Sequence, residues 1–235
     1  MGTINQGILG GFSGKVGSVI GASWKGINYM RTRAVSTKDA HTEKQLNQRA
    51  KFTLGMDFLR PMKAYLREGY KGEAHRCSTF NAALSYVVRI AVDGKYPELK
   101  IDYAKVLVSR GSLIPVADAS ASLNNGKVGF KWMDNSGQGD ALATDIAMPL
   151  VYNTTKKIVI FNTQDNLRSS GKAELSIPVN WAGDTLQIYL GMISVDGKAS
   201  ANSIYLSEAQ SEEGGNTGDD GNTGDGTGKD DDPLG

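Results

Sequence analysis

The second half of the chain is a series of seven short β-rich runs, and this series restricts the fold more than any other feature of the sequence. The runs are residues 117–123, 127–134, 142–153, 157–163, 171–179, 185–195 and 200–206, and turn signals such as Asn124-Asn125-Gly126 and Asp196-Gly197-Lys198 separate them. Strands of this length and spacing are typical of an antiparallel β-sandwich. A further strand within residues 99–108 is predicted by the period-two pattern of Ile101, Tyr103, Val106 and Val108.

Residues 42–92 have helical periodicity instead. Thr42 and Gln45 form a capping-box pattern, which predicts a helix start. At 3.6 residues per turn one side of this helix is apolar and the opposite side is basic, with Leu46, Ala50, Leu54, Phe58 and Tyr65 against Arg49, Arg60, Lys63 and Arg67. Pro61 interrupts the pattern, so we expect it either to kink the helix or to open a second one at its first turn. Another helix is predicted over residues 79–92.

The N-terminal segment is rich in glycine, with 8 of the 29 glycines in residues 1–26. A two-residue Lys25-Gly26 turn predicts that residues 16–24 pair with 27–34 as a β-ribbon. Alternation along the second strand then places Ile27, Tyr29, Arg31 and Arg33 on one face. The competing interpretation is a helix with a stripe of glycines at positions 7, 10, 14, 17 and 21. We favour the ribbon, because each glycine costs a helix about 1 kcal/mol relative to alanine.

Charge is distributed unevenly, although the formal total is only +1. Residues 1–76 hold 13 Lys or Arg and 5 Asp or Glu, residues 77–207 hold 12 and 11, and residues 208–235 hold 1 and 9. A basic region with aromatic residues indicates contact with a polyanion or a partner protein. The acidic, glycine-rich end lacks the apolar residues that offset ordering entropy, so it is predicted to be disordered. A calcium site on its repeated Gly-Asn-Thr-Gly-Asp segments, and binding of this end to the basic region, are the alternatives.

Known catalytic and phosphate-binding patterns do not fit the sequence. Gly10–Lys15 has three residues rather than four before its Gly-Lys pair, and Val16 stands where a P-loop needs Ser or Thr. His75 and Cys77 lack further metal ligands nearby in the sequence, and the single cysteine excludes an internal disulfide. We therefore expect a non-enzymatic protein with no cofactor, no metal and no small-molecule substrate.

The remaining candidates are contacts to a partner or a polyanion. They combine the basic and aromatic side chains of the ribbon with the basic helix side: Lys15, Trp24, Lys25, Tyr29, Arg31, Arg33, Arg49, Arg60, Lys63 and Arg67. A protein partner or self-assembly is the first prediction, and nucleic acid is the alternative. No signal peptide and no spanning apolar segment is recognised, which predicts a protein that is cytoplasmic by default or part of an assembled particle.

Three segments together resemble a bacterial family of unknown function: GGFSGKVGSVIGASWKGINYMRTRA at 10–34, QLNQRAKF at 45–52 and KVLVSRGSL at 105–113. The resemblance covers nearly all of residues 2–207 and implies no catalytic residues. The opening segment is also similar to proteins coded near phage-like elements, which implies particle or surface structure.

Residues 117–206 separately resemble a fibronectin type III module. Trp132, in VGFKWMD, is similar to the core tryptophan of its second strand, and YLGMISVDGKASANSIYL at 189–206 is similar to its last hairpin. Tyr189 falls near the position of the tyrosine corner.

The sequence thus predicts an α+β protein with three parts. Residues 1–110 would form the basic ribbon and helical region, 111–207 a seven-stranded fibronectin-like or immunoglobulin-like sandwich, and 208–235 the acidic tail. The predicted function is a structural or interaction protein, such as a component of a phage-like particle. Nucleic-acid binding and surface adhesion are the alternatives.

Overall fold

The fold was determined as a computed structural model, which describes residues 2–4, 10–34, 42–74, 77–124 and 126–210. The predictions for His75 and for residues 211–235 of the acidic tail fall outside this part of the chain. Residues 208–210, predicted as the start of the disordered tail, instead belong to a strand that ends at Gln210. The chain divides into two compact units, residues 1–45 and residues 46–235. The expected boundary after residue 110 falls inside the second unit, because the helices and the strands that follow them share hydrophobic core.

The first unit contains the predicted ribbon as part of a four-stranded antiparallel sheet. Its strands are β1 (Thr3–Ile4), β2 (Phe12–Val16), β3 (Val19–Trp24) and β4 (Ile27–Thr32), in the order β1-β2-β3-β4. Strand β4 pairs with β3 from Thr32 opposite Val19 to Ile27 opposite Trp24. The ribbon prediction is confirmed, and the glycine-striped helix is excluded. Gly21 instead allows a close approach between strands, since the ring of Phe12 packs over it.

Gly21 gives a direct test of this packing. A Cβ at this position would lie 2.6 Å from Cδ2 of Phe12 and would also collide with the Phe12 carbonyl oxygen. Gly21→Ala is therefore expected to separate β2 from β3 and to cost about 1–3 kcal/mol, as overpacking does elsewhere. Amide hydrogen exchange in β3 should rise strongly in this variant but not in Ser23→Ala, where the side chain is exposed. Equal protection in the two variants would contradict the packing described.

Three helices follow the ribbon, and the second unit begins within the first of them, after Gln45. They are α1 (Glu43–Leu59), α2 (Lys63–Gly69) and α3 (Thr79–Tyr86), and α3 continues into a wider π-type turn over Val87–Ala91. The helix ends before Pro61 and a second helix begins at Lys63, so Pro61 interrupts the helical region as predicted. Helices α1 and α3 approach each other closely at Gly55. A Cβ added to Gly55 would lie only 3.0 Å from Leu84 and 3.1 Å from Val88.

A short hairpin follows, made of β5 (Val92–Lys95) and β6 (Glu98–Ile101). The predicted strand over 99–108 is therefore only partly formed. After Asp102 the chain makes a single 3₁₀ turn at Tyr103–Lys105, with the Asp102 carboxylate accepting from the amide of Ala104. Capping of this kind satisfies local backbone donors and competes with strand pairing.

Two larger antiparallel sheets follow in the described part of the second unit. The first has the order β12-β8-β7, from β7 (Ala117–Asn124), β8 (Lys127–Met133) and β12 (Lys172–Ser176). The second has the order β10-β9-β13-β14 with β11 also paired to β9, from β9 (Ile146–Asn153), β10 (Ile158–Phe161), β11 (Asn166–Leu167), β13 (Thr185–Ile193) and β14 (Ile204–Gln210). Seven strands correspond to the predicted runs, and β11 is additional. The described chain is thus a mixed α+β protein with several antiparallel sheets.

The central strands of the five-stranded sheet, β9 and β13, are buried on both of their faces. One face packs with the three-stranded sheet in a core that includes Trp132, Phe130 and Ile188. The other face packs with the helices in a second core, to which β9 and β13 contribute Met148, Leu150, Tyr152, Tyr189 and Ile193. Helices α1 and α2 and the turn between them contribute Phe58, Leu59, Met62, Tyr65 and Leu66. The second unit therefore has three layers, with the five-stranded sheet in the middle.

Buried tyrosines tie these layers together. The hydroxyl of Tyr65 in α2 donates to the carbonyl oxygen of Met148 at 2.9 Å, and that of Tyr189 in β13 donates to the carbonyl oxygen of Tyr103 at 2.8 Å. Burial raises the pKa of both hydroxyls, so they remain protonated donors. A tyrosine corner bonds to backbone a few residues upstream. Tyr189 bonds 86 residues upstream, and it therefore joins the sheet to the 3₁₀ turn at Tyr103–Lys105.

Candidate interaction surface

The turn of the ribbon explains the position of its exposed aromatic residues. Lys25 has φ +49° and Gly26 has φ +84°, which are the two positive values of a type I′ turn and match the twist of the flanking strands. Trp24 precedes the turn, and the ammonium group of Lys25 lies 4.8 Å from the centre of its ring. This distance is typical of a cation–π contact.

Five exposed side chains share one face of the ribbon. Residues directly opposite each other in an antiparallel pair point to the same side. Trp24 lies opposite Ile27, and Ile20 lies opposite both Arg31 and Lys15. Tyr29 joins them because it alternates with Ile27 and Arg31 along β4. We call this set the ribbon face: Lys15, Trp24, Ile27, Tyr29 and Arg31. All five are exposed, and Trp24, Ile27 and Tyr29 line an open groove of about 340 Å³.

Strand β4 forms the outer edge of the sheet, and all six of its residues are exposed. Its apolar side chains are unusually accessible, with exposed fractions of 67% for Ile27 and 71% for Met30. The amide of Arg33 donates inward to the carbonyl oxygen of Ser18 at 2.8 Å. Because inward and outward residues alternate in antiparallel strands, the backbone groups of Asn28, Met30 and Thr32 point away from β3.

Two exposed residues of β4 contribute to this surface but are not among the contact residues predicted from the sequence. Ile27 lies on the ribbon face beside Trp24, and Met30 lies at the free edge on the opposite face. Neither residue is charged or aromatic, so charge and aromaticity do not identify them. Alternation along Ile27–Thr32 already placed Ile27 with Tyr29 and Arg31, and the uncharged run Ile27–Met30 was the signal for an unprotected edge.

The predicted basic residues of the helices form a separate group. Arg49, Arg60, Lys63 and Arg67 all belong to the second unit, whereas the ribbon residues belong to the first. They do not share one helix, because Arg49 lies on α1, Arg60 follows its end, and Lys63 and Arg67 lie on α2. Arg60 also makes an exposed ion pair of 3.4 Å with Asp57, one turn before it. All four side chains are exposed.

The single cysteine and the groups that could hold a metal ion concern the described part of the chain only. Cys77 is exposed and is a free thiol. Within residues 2–4, 10–34, 42–74, 77–124 and 126–210, no group of three or more His, Cys, Asp or Glu side chains is arranged to hold a metal ion. Among the helices in these ranges, none has the length and apolar character needed to cross a membrane.

Comparison with known proteins gives a family but no activity. Residues 11–207 match the family of unknown function DUF6266. The chain belongs to this family. No curated protein matches it. Among solved structures, the fn3 domain of human collagen alpha-1(XX) chain is similar to part of this DUF6266 protein, with 10% sequence identity and a TM-score of 0.30. That similarity covers 44% of this chain and 88% of the fn3 domain chain.

Proposed function

We propose that this DUF6266 protein is a non-enzymatic structural or interaction protein that binds a protein partner through its N-terminal ribbon. The observation that carries the proposal is the edge strand β4, whose six residues are all exposed and whose apolar side chains include Ile27 and Met30. In this proposal the second unit is a fibronectin-like sandwich reinforced by helices, and it serves as the scaffold. The assembly that the ribbon joins is a phage-like particle or a similar structure.

The composition of the edge supports strand addition. Natural proteins protect exposed sheet edges with lysine, proline or a bulge, because an open edge pairs readily with another chain. Strand β4 has the sequence INYMRT, with one charged residue and no proline, and its pairing with β3 is regular from end to end. A partner strand would gain main-chain hydrogen bonds from this edge and side-chain contacts from the groove beside it.

Photocrosslinking in the cell that makes the protein tests this function. A photoreactive amino acid replaces Tyr29 on the ribbon face in one version of the full chain. In the matched control it replaces Val179, which is 92% exposed and lies in the second unit. We expect a discrete protein adduct from position 29 and none from position 179, because only the ribbon would lie against a partner. Indistinguishable adduct patterns from the two positions would contradict the proposal.

Nucleic-acid binding is the second candidate, and one observation favours it. Residues 10–34 contain four Lys or Arg and no Asp or Glu, and Lys15 and Arg31 lie on the same face as Trp24 and Tyr29. Cations beside exposed aromatic rings suit phosphate contact and base stacking. If this candidate is correct, the adduct from position 29 should disappear after nuclease treatment. A protein adduct should survive that treatment.

A further inference from the structure

We propose that the partner of β4 is β4 of a second copy of this chain, paired antiparallel about a two-fold axis at Met30. This inference rests on the proposed use of the ribbon edge and names its occupant. Two copies would join their four-stranded sheets into one continuous sheet of eight strands. The evidence is the backbone pattern of the edge, the side chains that the symmetric register brings together, and the absence of opposed like charges.

The backbone restricts the register. Only Asn28, Met30 and Thr32 direct their N–H and C=O groups outward, as the inward bond from Arg33 to Ser18 establishes. In a hydrogen-bonded antiparallel pair, outward residues must lie opposite outward residues. One symmetric register uses all three, with Met30 opposite Met30 and Asn28 opposite Thr32. If one β4 strand slides by two residues against the other, one of the three outward residues in each copy no longer faces an outward residue of the other β4.

The side chains suit the same register. Opposite residues in a pair lie on one face. The axis at Met30 therefore places Tyr29 of one copy opposite Arg31 of the other, and does so twice by symmetry. An arginine guanidinium over a tyrosine ring is a favourable cation–π pair. Arg33 would lie opposite Ile27, so no two arginines of β4 and its extension face each other directly.

The charge of the ribbon gives the pairing a distinctive dependence on salt. Residues 10–34 carry four positive charges and no negative ones, so two copies repel each other over distances longer than a hydrogen bond. Salt screens this repulsion, with a Debye length of about 30 Å at 0.01 M and about 10 Å at 0.1 M. Self-pairing should therefore strengthen as salt is added. Binding to a nucleic acid should weaken, because it depends on counterion release.

Disulfide trapping of the full chain tests the register in a Cys77→Ser background. Opposite residues of a hydrogen-bonded pair have Cα atoms about 5.5 Å apart, within the range that a disulfide spans. Met30→Cys should therefore form a covalent dimer by itself. Asn28→Cys alone should not, because its two copies would lie about 14 Å apart, four residues along the strand and one strand spacing across it. Mixed Asn28→Cys and Thr32→Cys chains should form a heterodimer. Val16→Cys, also exposed but on β2, reports random collision.

Proline substitution provides an independent test of the β4–β4 pairing that needs no cysteine. The outward amide of Met30 is not used by β3, so Met30→Pro removes the intermolecular donor and leaves the hairpin bonds in place. Dimerisation should weaken at least about tenfold, since two symmetric hydrogen bonds are lost, whereas Met30→Ala should retain it. Sedimentation at low and high salt measures both variants, and circular dichroism checks their folding.

The outcomes separate this inference from the proposed function. Trapping at Met30→Cys above the Val16→Cys level, with dimerisation that strengthens with salt, supports the β4–β4 pair. Trapping no greater than at Val16→Cys overturns it. If position 29 still gives a nuclease-resistant adduct with a different protein, the interaction function stands and only the self-pairing is wrong. If position 29 gives no specific adduct and Met30→Cys is not trapped, both are wrong.

Discussion

Replacing Arg168 with methionine is expected to destabilise the second unit by about 3–5 kcal/mol, as breaking a buried ion pair does in other proteins. Both Arg168 and Asp145 have fully buried side chains, and Nη2 of Arg168 lies 3.1 Å from Oδ2 of Asp145. The guanidinium also donates to Oδ1 of Asn135 at 2.6 Å and to the carbonyl oxygen of Ile114 at 2.8 Å. Methionine fills a similar volume but supplies none of these donors, so a buried carboxylate is left without its countercharge.

Urea denaturation with matched controls measures this loss. Lys127→Met removes a different ion pair, with Glu174 at 3.6 Å, in which both side chains are mostly exposed. That variant should change stability by less than about 1 kcal/mol, because water already solvates both charges. Arg168→Met combined with Asp145→Leu should lose less stability than Arg168→Met alone, since the double change removes both charges. Similar losses in Arg168→Met and Lys127→Met would contradict a structural role for the buried pair.

The network around Arg168 also explains the position of Trp132. The indole Nε1 of Trp132 donates to the carbonyl oxygen of Arg168 at 2.8 Å, so the charged pair and the core tryptophan belong to one connected group. Sequence indicated Trp132 as a core residue, and the structure confirms its burial. Sequence did not indicate Arg168 or Asp145, because they lie 23 residues apart and neither periodicity nor a local motif connects them.

The features that the sequence predicted well are those decided by local interactions. Lys25-Gly26 needs only two adjacent residues with positive φ to reverse the chain, and the flanking alternation then determines the pairing of β3 with β4. Pro61 likewise interrupts a helix through its own ring and its missing amide hydrogen. Tertiary arrangement is different, because the positions of α1 and α2 against one face of the five-stranded sheet depend on residues far apart in sequence.

Strand β13 carries a sequence signal for that arrangement. A sheet that is open to water on one face alternates polar and apolar residues, whereas one buried on both faces has continuous apolar runs. In β13 the run Leu186–Ile193 contains one polar side chain, Gln187, and every residue of it is buried. An isolated sandwich would leave one face of this strand in water. The composition of β13 therefore indicated a third layer over that face.

This third layer leads to the second large prediction, that residues 111–210 do not fold without the helices. Removing residues 46–110 would expose Met148, Leu150, Tyr152, Tyr189 and Ile193 on the sheet face that now packs against the helices. Burial of such side chains contributes about 1.5–3 kcal/mol each. Five of them therefore amount to roughly 10 kcal/mol, which is comparable to the stability of about 5–15 kcal/mol of a typical domain.

Hydrogen bonds across the same boundary would be lost as well. The amide of Val108 donates to Oγ of Ser203 at 2.9 Å, and the amide of Ser203 donates to the carbonyl oxygen of Ser109 at 3.0 Å. Both bonds join the segment before residue 111 to the segment that leads into β14. Truncation at residue 111 would leave their partners near the sheet unsatisfied, which adds to the cost of the exposed apolar face.

Two fragments distinguish a three-layer unit from a sandwich that folds alone. Residues 42–210 retain all three layers and should unfold in a single cooperative transition, with well-dispersed amide signals in nuclear magnetic resonance spectra. Residues 111–210 should show no cooperative transition and should aggregate through the exposed face of β9 and β13. A cooperative transition in the shorter fragment, at the denaturant midpoint of the longer one, would instead mean that the helices are attached to an autonomous sandwich. Because the five-stranded sheet has its two cores on opposite faces, we expect the longer fragment alone to fold.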